Sequence, residues 1–67
     1  MFRNLRAEML RRGLTQIDMA QAMRISMGSV SMRLNGHTPW KLDEAIEVKA
    51  WLGTDMSLEE LFKWTEV

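Results

Sequence analysis

Residues 15–36 read Thr15-Gln16-Ile17-Asp18-Met19-Ala20-Gln21-Ala22-Met23-Arg24-Ile25-Ser26-Met27-Gly28-Ser29-Val30-Ser31-Met32-Arg33-Leu34-Asn35-Gly36, and the fold turns on this stretch. Two helix starts are written into it. Thr15 and Ser26 each carry a hydroxyl that accepts a hydrogen bond from a free backbone N–H at a helix N-terminus. Asp18, three residues after Thr15, partly imitates a capping box. Asn35-Gly36 supplies a stop, because both residues tolerate the left-handed conformation found just past a helix.

Apolar spacing says how the two helices meet. Met19, Ala20 and Met23 fall on one face of the first, and Val30 and Leu34 share a face of the second. Ile25 sits in the connection, where an apolar side chain plugs the corner. Ala20 is small, so the second helix crosses close to it. A short turn and a wide crossing angle describe a helix-turn-helix.

With these residues the chain resembles the Cro/repressor-like (XRE) helix-turn-helix proteins of phages and bacteria. The likeness rests on Leu14-Thr15-Gln16, Ala20, Ile25-Ser26, Val30 and Leu34-Asn35-Gly36, and continues through Leu42-Asp43-Glu44-Ala45, Leu52-Gly53 and Ser57-Leu58-Glu59-Glu60-Leu61-Phe62. It covers nearly the whole chain in order. It implies an all-α fold: a compact five-helix lambda-repressor-like DNA-binding domain spanning residues 1–67, with helices 2 and 3 as the helix-turn-helix. It also implies a sequence-specific DNA-binding transcriptional regulator acting on double-stranded DNA as a homodimer.

In this motif the second helix enters the major groove and the first crosses the backbone. Carried over by the resemblance, the DNA-binding set is Gln16, Ser26, Met27, Gly28, Ser29, Ser31, Met32, Arg33 and Asn35. Gln16 matches a phosphate-contacting position. Met27, Gly28 and Met32 match base-reading positions. Ser29, Ser31 and Arg33 neighbour them, and Asn35 matches a backbone-contacting position. Two departures stand out. Arg24 occupies a position where the family often has Gly with φ > 0, at a steric cost of about 1 kcal/mol. Arg33 occupies a position that many members bury, and Leu34 is offered instead.

Base readers are normally Arg, Lys, Gln or Asn, which form bidentate hydrogen bonds. Met touches only a thymine methyl, and Gly reads nothing. An alternative therefore stands beside DNA binding: a helix-turn-helix reused as a protein-binding module, an antirepressor or host-factor binder, through a Met-rich face. Met is adaptable and common at binding surfaces, and the chain has seven. Trp51, Phe62 and Trp64 form the candidate dimer patch, the other reading being rings that cap the edges of a thin core.

The flanking segments extend the helical pattern. Phe2, Leu5 and Met9 make an apolar stripe on a first helix from about Phe2 to Arg12, ended by Gly13. Its arginines read as solubilising and as partners for the helix dipole. Leu42, Ala45, Ile46, Val48 and Leu52 predict a broad apolar face on a fourth helix, with Trp51 off that face and Gly53 closing it. Ser57-Leu58-Glu59-Glu60 predicts a capping box for a fifth helix, with Leu58, Leu61 and Phe62 inward. No stretch alternates as a strand.

Composition sets the outer limits. Hydrophobic residues make up 46% of the chain, enough for a small core, and there is no Cys. Formal net charge is zero, but it is divided: residues 1–40 carry six Arg against two acids, and residues 41–67 carry three Lys against seven. Such asymmetry fits nucleic-acid binding. No apolar run spans a bilayer and no signal peptide is visible, so the expectation is a cytoplasmic chain without membrane contact. No Cys-His pair, Ser-His-Asp ordering or phosphate-cradling glycine loop is present. His37 is the single His, without a second ligand nearby. No catalysis, cofactor or metal is expected.

Overall fold

Capping chemistry places the helices. A computed structural model, which describes residues 1–66, forms them at Arg3–Arg11 (α1), Gln16–Met23 (α2), Met27–Leu34 (α3), Leu42–Leu52 (α4) and Leu58–Leu61 (α5). At α2 the capping box is complete rather than partial. The Asp18 N–H donates to Thr15 Oγ1 at 3.3 Å, and Asp18 Oδ2 accepts from the Thr15 N–H at 2.7 Å. Ser26 Oγ accepts from the Ser29 N–H at 3.1 Å. At α5 only half of the expected box forms. Ser57 Oγ accepts from the Glu60 N–H at 3.2 Å, but the Glu60 carboxylate takes the Ser57 hydroxyl instead of its N–H.

The two turns that bound α3 share one geometry. After α2, the Ile25 N–H donates to the Ala20 carbonyl (3.1 Å) and the Arg24 N–H to the Gln21 carbonyl (3.4 Å). After α3, the His37 N–H donates to the Met32 carbonyl (2.9 Å) and the Gly36 N–H to the Arg33 carbonyl (3.2 Å). Both are left-handed closures of the Schellman kind. Gly36, at φ 79°, fits without strain. Arg24 stands at φ 58°, the one non-glycine residue with positive φ among the described residues. Its Cβ is crowded against its own carbonyl, a cost of about 1–2 kcal/mol. Arg24→Gly is therefore expected to raise stability by about 0.5–1 kcal/mol, after allowing for the looser unfolded chain. A urea melt at constant m-value checks this.

The core is one cluster: Leu5 and Met9 from α1, Met19 and Ala20 from α2, Val30 and Leu34 from α3, Val48 and Leu52 from α4, and Leu61 from α5. Ile25 packs against it at the α2–α3 corner. α2 packs on both α3 and α4, and α5 packs on α4 and α1. The radius of gyration of 10.8 Å is that of a compact domain of this length. Among the described residues there is no strand, and no helix is long and apolar enough to cross a membrane.

Helix α4 corrects the broad apolar face expected of it. Its buried residues are Ala45, Val48 and Leu52. Leu42 is 70% exposed and Ile46 52% exposed, while Trp51 is half-buried against the core. A helix with apolar residues most of the way round does not announce its inner face; contact with α2 and α5 selects it.

Glu8, a charged residue, is 2% exposed. Its carboxylate takes the Thr54 hydroxyl and pairs with Arg11 and Arg12, tying α1 to the loop before α5. The Thr54 hydrogen bond, helped by the two guanidiniums, holds its pKa below the ordinary 4.5.

Candidate nucleic-acid interface

The start of α3 stands free because Ser26 caps it and Val30 and Leu34 carry its contact with the core. The opposite side faces solvent. On it Met32 is 47% exposed, with Gly28 and Asn35 exposed beside it; at the N-terminus, round toward the Val30–Leu34 side, Met27 is 46% exposed and Ser26 is exposed as well. Neither Met belongs to the core. Ser29 and Ser31 sit half-buried at its edges.

The polar groups on this face are already organised. The Ser26 hydroxyl donates to Ser29 Oγ at 3.0 Å. Asn35 Nδ2 donates to Ser31 Oγ at 3.3 Å, and Asn35 Oδ1 accepts from Arg6 Nη2 at 3.1 Å. Arg6 thus joins α1 to the end of α3. It also lines a groove of about 300 Å³ together with Leu10, Leu14, Thr15, Gln16 and Leu34. Gln16, the first residue of α2, therefore shares a cleft with Arg6. Arg6 Nε is buried there with no acceptor.

Arg33 does not face outward with the rest. Its Nη2 meets Glu44 Oε2 at 3.1 Å, its Nε meets Oε1 at 3.4 Å, and its Nη1 donates to the Ser29 carbonyl at 3.3 Å. Both side chains are only about 15% exposed. The guanidinium is neutralised by a bidentate carboxylate and binds α3 to α4. Glu44 in turn accepts from the Lys41 N–H at 3.0 Å. That bond and the Arg33 contact hold its pKa below the ordinary 4.5. Arg33 therefore positions α3 and offers no charge to a ligand.

The candidate dimer patch is also partly used up within the chain. Phe62 is half-buried, with its ring edge-on to Trp40 at 5.2 Å and to Phe2 at 6.3 Å. Trp64 is exposed but packs edge-on to Phe2 at 5.0 Å. Its ring lies so close to Gly36 that an added Cβ would meet it at 2.6 Å. Trp51 lies on the core. Three of these rings, Phe2, Phe62 and Trp64, hold the chain ends together, alongside the Thr65 N–H donating to the Met1 carbonyl at 2.9 Å.

Sequence reasoning missed Arg6, Glu44 and Glu8. For Glu8 a signal existed, since Arg11 and Arg12 follow at i+3 and i+4. For Arg6 and Glu44 there was none, because their partners lie far along the chain. No curated protein and no solved structure matches the chain. Residues 1–64 match the family described as Protein of unknown function (DUF739), and the chain belongs to that family.

Proposed function

We propose that this chain is a DNA-binding transcriptional regulator of helix-turn-helix type, laid out as in lambda-repressor-like domains, that acts in the cytoplasm as a homodimer. In this reading α2 crosses the phosphate backbone and α3 lies in the major groove. The observation that supports it most is a convergence. Arg6 lines one groove with Gln16 at the start of α2 and donates to Asn35 at the end of α3, so charge and neutral donors from three helices lie together.

The roles divide by chemistry. Arg6 supplies charge, and Gln16 and Asn35 supply neutral donors, all suited to phosphate oxygens. Ser29 and Ser31 reach base edges, and Met27 and Met32 press on thymine methyls. With Arg33 committed to Glu44, base discrimination is thin and DNA shape carries more of it. The exposed pair Met27 and Met32 is the observation that favours the second reading, a protein-binding module.

The test is a titration of duplex DNA across a salt series. Binding should weaken steeply as salt rises, because condensed counterions are released from the phosphates. Arg6→Ala should reduce the slope of log affinity against log salt by about 1. Gln16→Ala should weaken binding and leave the slope alone. Absence of binding even at low salt would overturn the DNA reading in favour of the protein partner.

A further inference from the structure

The outward row of α4 is Leu42, Ile46 and Ala50, spaced one turn apart and exposed. Two large aliphatic side chains are held in water by a helix whose other side is fully packed. Neither DNA nor a lipid surface fits this row. Asp43 and Glu47 run along one edge of it, and both are exposed and without an ion pair among the described residues. Those carboxylates repel phosphate. We propose that this row docks a second copy of the chain, with the two α4 helices side by side, parallel and in register.

Charge selects both the occupant and the orientation. At 3.6 residues per turn, Asp43 lies about 60° to one side of Ile46 and Lys49 about 60° to the other. Glu47 lies further round on the Asp43 side. In an antiparallel two-fold pair each edge stays on its own side, so Asp43 of one copy meets Glu47 of the other. In a parallel two-fold pair the edges exchange, and Glu47 of each copy meets Lys49 of the other, about 3 Å away along the axis. Lys49 forms no ion pair among the described residues, so it is available. The parallel pair also stacks Leu42 on Leu42, Ile46 on Ile46 and Ala50 on Ala50, a self-complementary contact of the kind a two-fold axis requires.

The interface deepens the homodimer of the proposed function and rests on that reading. It is small, well under the roughly 800 Å² per partner of a standard complex, so the free dimer is weak. The experiment is sedimentation equilibrium of the full chain up to about 500 μM at low salt, a range set by an interface of that size. The wild type should show a reversible monomer–dimer equilibrium. Ile46→Lys and Leu42→Lys, both at exposed positions, should each weaken it at least about 30-fold while far-UV circular dichroism stays unchanged. Glu47→Lys and Lys49→Glu should each weaken it about 10-fold, and the double exchange should restore it.

A wild type that stays monomeric across the range would overturn the proposal, and would assign the row to a different protein. Dimers that persist in Ile46→Lys, or a double exchange weaker than either single change, would overturn it too. Failure here is separable from failure of the DNA reading. A chain that binds duplex DNA with a salt-dependent affinity but never dimerises sinks this interface and the homodimer, and leaves the DNA reading standing.

Discussion

Leu34→Ala is expected to lower stability by about 3–4 kcal/mol, close to the whole margin of a chain this short. Leu34 is 1% exposed and belongs to the one core cluster. Its loss removes buried methyl groups and leaves a hole in the core cluster. With a small domain losing roughly 4–8 °C per kcal/mol, the melting temperature should drop by at least about 12 °C, or no folded baseline should remain at all. Leu10→Ala is the control. Leu10 lies on the same face of the molecule but is exposed, so its loss should change stability by less than about 0.5 kcal/mol. Thermal melts followed at 222 nm on the pair check the assignment. A mild Leu34→Ala would mean that α3 is not seated on its Val30–Leu34 side, and the outward face described for it would be wrong.

The second large effect concerns that outward face. Met32→Glu is expected to weaken DNA binding at least about 100-fold while leaving the melting temperature within about 2 °C. The asymmetry follows from position. Met32 is about half exposed and makes no part of the core, so a carboxylate there stays solvated in the free protein. Against a major groove it would be stripped of water and set among phosphates, with like charge on both sides. Electrophoretic mobility or anisotropy titrations against one duplex, run beside the wild type, give the ratio directly. Unchanged affinity would move the DNA contact off α3. Lost binding accompanied by a lower melting temperature would point to damage rather than to the face.

Arg33 shows why sequence position alone misassigns such a face. It follows Met32 on α3 and looks like the one strong base reader the helix has. Its charge is spent on Glu44, eleven residues away and on another helix. Arg6 shows the converse: it looks like an ordinary solubilising arginine of α1, and it stands beside Asn35 in the groove that Gln16 shares. The caps and the exposure of Met27 and Met32 could be read from local pattern. The partners of the charged residues could not.

Helix limits are legible from residue order, because capping and helical periodicity act within a few positions of each other, while the positive φ at Arg24 is implied by the family resemblance. Long-range packing decides which side of α4 turns inward, where the Glu8 carboxylate is buried, and which partners Arg33 and Arg6 take. Those outcomes depend on groups brought together from distant parts of the chain, and an apolar or charged side chain carries no local mark of which neighbour it will find.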